Sequence, residues 1–234
     1  MYSYFIRLLI GLTTLLAISG TLSAQEVCDW PPAPAAKAKL AAQPPPMPTS
    51  FPVVGGAGAK PELIFLGDSL TKGAGATNQS LAFPAITLGS LDGERRAYRV
   101  LALGGHKSTI ITNLFLKERI PKKSVVIAWV GRNNFDDFDG VTRDISRISA
   151  FLGDRNYLFL AILRAGNKKE AAGTPRGEQL THVNEWLKKI YPDNFIDVNE
   201  EIKCDDRADP VHLNDKGYAK VAAKVARVLM AKGW

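Results

Sequence analysis

The chain has 234 residues and a formal net charge of +7, with 46% hydrophobic and 23% charged residues. Its lysines and arginines are scattered along the chain, and no run couples a basic cluster with aromatics, so the composition gives no footing for a nucleic-acid interface. The positive balance favours solubility and anionic surroundings instead.

The first element is a short segment, Met1 to Arg7, whose only charge is Arg7, followed by the apolar stretch Leu8 to Ile18 and the small-residue run Thr21-Leu22-Ser23-Ala24. This is the pattern of a secretory signal cut after Ala24, which makes the expected location secreted or periplasmic. An uncleaved, membrane-anchoring signal is the alternative, weakened because the stretch is shorter than the ~20 residues that span a bilayer. Cleavage removes only Arg7 among the charged residues, so +7 becomes +6, and no stable membrane insertion is expected of the mature chain. Residues 25–60 read as an extended, semi-rigid tether rich in proline, alanine and glycine, with Pro44-Pro45-Pro46 at its centre. Its end, Gly55-Gly56-Ala57-Gly58, reads as a flexible stretch, because it lacks the Gly-Lys-Ser/Thr ending of a nucleotide-binding loop. In an oxidising compartment Cys28 and Cys204 are expected to form a disulfide that ties the start of the mature chain to the segment before Asp209; two free thiols are the alternative.

Residues 61–234 read as one domain. The pattern predicts strands from Glu62 to Leu66, Arg99 to Ala102, Ser124 to Val130, Tyr157 to Leu163 and Phe195 to Val198. Helices are predicted between them, from Leu81 to Leu91, Thr109 to Glu118, Val141 to Leu152 and Glu178 to Ile190, with a last one from Lys216 to Lys232. Such alternation argues for an α/β fold with a parallel sheet between helical layers.

Ser69, in Gly67-Asp68-Ser69-Leu70, follows the first apolar run and falls at the carboxyl edge of the expected sheet, where open α/β folds place their ligand crevice. A serine hydroxyl needs a base within hydrogen-bond reach and a third group that holds the base in the right tautomer. In Asp209-Pro210-Val211-His212, His212 fits the first role and Asp209 the second, given a tight turn whose freedom Pro210 limits. Donors for a developing oxyanion are available in two further loops, Leu103-Gly104-Gly105-His106-Lys107-Ser108 and Gly131-Arg132-Asn133-Asn134.

These four blocks, in this order, resemble those of the SGNH hydrolases, also called the GDSL esterase and lipase family, over about residues 61–232. The resemblance implies a three-layer α/β/α sandwich with a flavodoxin-like parallel five-stranded sheet in the order 2-1-3-4-5. It implies that Ser69 is the nucleophile, His212 the base and Asp209 the third triad member. The implied oxyanion donors are the backbone N–H groups of Ser69 and Gly105 and the Asn133 side chain, with Gly104 able to replace Gly105 by a one-residue shift. Asn134 departs from the family's usual Gly-x-Asn-Asp, which leaves open how that loop is supported, since an amide donates as well as accepts.

Other residues are less directive. His106 and Lys107 read either as substrate contacts or as exposed loop residues, and His182 is assigned no catalytic role. Arg132 reads as meeting an anionic substrate group or as part of a surface salt bridge. Asp136, Asp137 and Asp139 do not fit a calcium loop, because aligning Gly140 with the required glycine puts Phe135 first and Ser146 last. They read as a solvated loop that begins the following helix. The segment Arg164 to Arg176 lacks large apolar residues and reads as a rim to the crevice, a poor lid for long acyl chains.

The expected activity is therefore that of an exported serine esterase acting on small acyl esters, O-acetylated glycans among them, with no metal, no cofactor and no nucleic-acid partner. Two alternatives are a lysophospholipase or thioesterase acting on longer chains, and a non-catalytic glycan-binding module on the same fold.

Overall fold

The runs Leu63-Ile64-Phe65-Leu66 and Val125-Val126-Ile127-Ala128-Trp129 are apolar at every position, the pattern of strands covered on both faces. In the computed structural model, which describes residues 27–30, 50–51, 55–56, 60–91 and 96–234, they lie at the centre of one six-stranded sheet. The expected signal segment and most of the expected tether lie outside the described residues.

The strands are β1 (Gly55–Gly56), β2 (Lys60–Gly67), β3 (Arg96–Ala102), β4 (Val125–Trp129), β5 (Asn156–Leu160) and β6 (Phe195–Ile196), ordered β1-β3-β2-β4-β5-β6. The last five are parallel, and numbered among themselves they run 2-1-3-4-5, the order implied above. Strand β1 corrects the reading of Gly55-Gly56 as a flexible stretch: the pair lies antiparallel against Arg99 and Tyr98 at the edge of the sheet. Two glycines carry no side chains whose alternation could announce a strand.

Helices cover both faces. Alternate residues of β2 divide between two cores: Leu63 and Phe65 pack with α2 (Phe83–Ser90) and α6 (Asp215–Ala231), while Ile64 and Leu66 pack with α3 (Ser108–Phe115), α4 (Phe138–Leu152) and α5 (Pro175–Ile190). On the first face Trp129 and Phe65 both meet the ring of Phe83 edge-on, at 5.5 and 5.4 Å, and the Trp129 indole donates to the Ala161 carbonyl at 2.9 Å. Two helices begin earlier than periodicity alone suggests, because polar caps set their starts. Asp137 accepts from Gly140 N–H to open α4, and Thr174 accepts from Gly177 N–H to open α5, with Pro175 in its first turn.

The predicted strand over Tyr157 to Leu163 stops at Leu160, although residues 161–163 stay buried. Past that point side chains replace the ladder. Asn184 accepts from Ile162 N–H and donates back to Ile162 O, and Asn199 accepts from Arg164 N–H. The neighbouring strand, expected through Val198, likewise ends at Ile196, whose carbonyl takes the Ala161 N–H.

Cys28 and Cys204 are bridged, closing a sequence separation of 176 residues. The segment around Cys28 is pinned further: Cys28 N–H and the Trp30 indole both donate to Gly166 O at 3.0 Å, and Gly166 N–H donates to Pro210 O at 2.8 Å. Only glycine fits there, since a Cβ would stand 2.5 Å from the Cys28 sulfur. A cross-link over so long a loop stabilises mainly by restricting the unfolded chain, by up to about 5 kcal/mol. Reduction, or Cys28→Ser, is expected to lower the unfolding free energy towards that extent in urea melts; unchanged melts would show that the bridge adds nothing to the native balance.

Candidate active site

The register of the central strands fixes where the loops leave the sheet. Gly67 pairs with Ala102 on one side and Trp129 on the other, so three chain segments turn off the carboxyl edge at one level. They are the Gly67–Leu70 turn into α1 (Ser69–Lys72), the 103–107 loop and the 130–137 loop.

Ser69 opens α1, and Asp68 caps that helix by accepting from Leu70 N–H at 3.0 Å. His212 reaches Ser69 from the far end of the chain: its Nε2 lies 3.0 Å from Ser69 Oγ, and its Nδ1 lies 2.7 Å from Asp209 Oδ2. The carboxylate has no proton to give, so Nδ1–H donates to it and Nε2 is left to accept from the serine hydroxyl. The other oxygen, Asp209 Oδ1, accepts from Val211 N–H at 2.7 Å and His212 N–H at 2.8 Å, so one carboxylate both folds the turn and aims the ring. Burial pushes this carboxyl up, but the His212 and Val211 amides and the imidazole together outweigh it and hold Asp209 below the usual carboxylate range. The loop is closed at its neck by a bridge between Arg207 and Leu213 and by Ala208 N–H donating to His212 O at 3.0 Å.

The glycine loop stands beside the serine. A Cβ added at Gly104 would lie 3.6 Å from that of Ser69, so the two turns run close together. Gly105 has φ +75°, a left-handed conformation that side-chain-bearing residues rarely adopt, within a turn closed by His106 N–H to Leu103 O. Asn133 is exposed in the same crevice, with Nδ2 3.0 Å from His106 O and 3.4 Å from Asp68 Oδ2. The backbone N–H of Ser69, the Gly104-Gly105 backbone and the Asn133 amide thus lie on the three turns that leave the carboxyl edge at the level of Gly67.

Asn134 is buried and holds two of these loops together. Its Oδ1 accepts from Ser108 N–H at 2.9 Å and its Nδ2 donates to Ser108 Oγ at 3.0 Å; that hydroxyl then donates to Asp144 at 2.7 Å. The amide's ability to do both is used in full here, which a carboxylate at this position could not match.

Asp68, the cap of α1, is fully buried. Burial pushes its carboxyl up to about 6, against the lowering effects of Leu70 N–H and of the Arg132 charge. The remaining singled-out residues fall outside the hydrogen-bonded line. His106 donates Nδ1–H to Gly104 O at 2.8 Å and so stiffens the glycine loop, Lys107 is exposed, and His182 stacks on Phe138 at 4.3 Å between α4 and α5. Arg132 is not at the surface: it pairs with Glu170 at 2.8 Å, with the two side chains only 7% and 5% exposed. A buried partner 38 residues away leaves no local pattern to read. Asp136, by contrast, pairs with Arg176 at 3.1 Å in the open.

No family model matches the chain. Over 125 residues it is 25% identical to platelet-activating factor acetylhydrolase IB subunit alpha2 of Homo sapiens, covering 47% of this chain and 53% of that protein. The chain therefore spans about half the length of the curated relatives it matches. Among solved structures it is similar to a member of the lipolytic protein G-D-S-L family from Veillonella parvula, at TM-score 0.61 and 18% identity over 72% of this chain and 98% of that one. It is also similar to the lipase/acylhydrolase from Enterococcus faecalis, at TM-score 0.59 and 17% identity over 74% of this chain and 96% of that one. A carbohydrate esterase family 2 enzyme from Corynascus thermopiles gives TM-score 0.57 and 14% identity over 76% of this chain and 68% of that one. The fold of this chain is that of the GDSL/SGNH lipolytic proteins.

Two predictions follow from the buried groups. With its folded pKa raised from 3.8 to about 6, Asp68 contributes stability that is complete below about pH 4 and is lost as pH rises through 6. Urea unfolding from pH 4 to 7 should show the wild type losing on the order of 2–3 kcal/mol relative to Asp68→Asn; parallel curves would assign the titration elsewhere. Asn134→Asp, although it restores the family's common residue, should cost roughly 1–3 kcal/mol by removing the donor to Ser108 and placing a second carboxylate near Asp144, read as a lowered urea midpoint.

Proposed function

We propose that this chain is an exported serine esterase that hydrolyses small acyl esters, including O-acetyl groups on carbohydrate. The observation that carries the reading is the hydrogen-bonded line Asp209–His212–Ser69 at the carboxyl edge of the sheet. Ser69 Oγ attacks the ester carbonyl while its proton passes to His212 Nε2, and Asp209 holds the imidazole and stabilises the imidazolium that forms. The negative charge on the former carbonyl oxygen is met by the Ser69 and Gly105 N–H groups and the Asn133 amide, donors fixed before the reaction begins. Collapse expels the alcohol, which takes its proton from His212. A water activated by the same imidazole then releases the acid and restores Ser69.

The size and polarity of the cavity lined by Asn133 and Val211 support short, polar substrates: it measures about 430 Å³, and its other walls are charged and amide side chains. A site for long acyl chains needs an extended apolar wall. The names of similar proteins, an acetylhydrolase and a carbohydrate esterase, agree with this choice. Export is supported by the leader-like pattern of residues 1–24 and by a disulfide, which persists in oxidising compartments. No helix among the described residues is long and apolar enough to cross a membrane.

The protein lacking residues 1–24 is expected to hydrolyse p-nitrophenyl acetate faster than the corresponding long-chain ester. Ser69→Ala should lower kcat by on the order of 10⁴-fold or more. Undiminished turnover by that variant would rule out the mechanism.

A further inference from the structure

One cavity is lined by Asn133 and by Val211, the residue before His212, together with Arg132, Lys169, Arg176 and the single carboxylate of Glu170. Three cationic side chains therefore share one anion, and that anion is already committed. Glu170 Oε1 takes Arg132 Nη2 at 2.8 Å, with Arg176 Nε 3.9 Å away, and Oε2 accepts from Ala165 N–H at 2.8 Å. Arg132 is the group left short. Its Nε and Nη1 are buried and have no hydrogen-bond partner among the described residues, a costly state for a charged donor group.

The surroundings add to the excess. Arg207 is buried nearby, and burial together with the charge of Arg132 pushes its guanidinium down to about 10. Phe135 lies between two guanidiniums, with Arg132 5.0 Å and Arg176 4.6 Å from its ring centre, which fixes their planes without neutralising them. Asp136 offsets Arg176 only in an exposed pair, where side chains are 45% and 47% accessible and the attraction is weak. Buried, unsatisfied, pre-oriented positive charge next to a nucleophile suits a ligand that brings its own oxyanion, and a planar guanidinium matches carboxylate and phosphate oxygens two at a time.

We infer that this cavity is an anion subsite, and that the esters cleaved at Ser69 carry a carboxylate or phosphate received by Arg132, Lys169 and Arg176. The inference rests on the esterase reading above and narrows it to acidic substrates, such as O-acetylated sugar acids or sugar phosphates. Arg132 immediately precedes Asn133, so a bound anion would also steady the loop that supplies an oxyanion donor.

The test compares kcat/KM in two matched pairs: an O-acetylated uronic acid against its methyl ester, and an O-acetylated sugar phosphate against the unphosphorylated sugar. In at least one pair the anionic member should be preferred by ~10-fold or more, the range expected for hydrogen bonds to a charged group. The preference should shrink as salt rises, and the pair that shows it identifies the anion. Lys169→Gln and Arg176→Gln, both at exposed positions, should each reduce the ratio severalfold. Equal kcat/KM within both pairs, with p-nitrophenyl acetate still hydrolysed, would overturn the subsite and leave the esterase reading standing. If no ester is turned over, the esterase reading fails, and calorimetry on Ser69→Ala reports the subsite by itself. Tighter binding of an anionic ester than of its neutral partner then supports it, and equal or absent binding in both pairs overturns it.

Discussion

The pairing of Gly67 with both Ala102 and Trp129 is the constraint on which the site depends. Parallel strands send every strand-to-helix turn to one edge of a sheet, but level register is what brings three of those turns to the same height. A shift of one residue in β2 would exchange the faces of Leu63, Ile64, Phe65 and Leu66, so both cores oppose it. Core packing and the position of Ser69 are in this sense one property.

Within that frame, the loops hold one another more than the sheet holds them. Asn134 ties the 130–137 loop to the start of α3, Asn133 lies against His106 O, and His106 returns a hydrogen bond to Gly104. The base arrives on a separate turn that Asp209 folds with one oxygen while orienting His212 with the other. The cost of this arrangement is buried charge: Asp68 is fully buried with a raised pKa, and two Arg132 nitrogens lack a partner among the described residues. Each also serves the fold, Asp68 as the cap of α1 and Arg132 as the partner of Glu170.

The central strands were legible because burial on two faces leaves an uninterrupted apolar run, and the nearness of Ser69, His212 and Asp209 because these three residue types occur in two compact blocks at element boundaries. The Gly104-Gly105 pair was legible as a loop; the structure was needed to separate Gly104, which faces Ser69, from Gly105, which has positive φ. What escaped was whatever depends on distant partners or on backbone without side chains. Strand β1 is two glycines, the end of β5 is held by Asn184 and Asn199 from other segments, and the Arg132–Glu170 pair joins two loops whose order in sequence carries no sign of contact. Even the Asn134 departure from the family pattern could be noticed, but its meaning lay in Ser108 and Asp144.

Ser69 and His212 are 143 residues apart in the chain, and the disulfide closes over a span of 176. During synthesis the serine emerges long before its base, so a growing chain carries a hydroxyl with nothing to activate it. The Asp209–His212–Ser69 line forms only when the segment around His212 folds back over the end of β2. The order in which the residues are made thus ties the completion of that line to the completion of the fold.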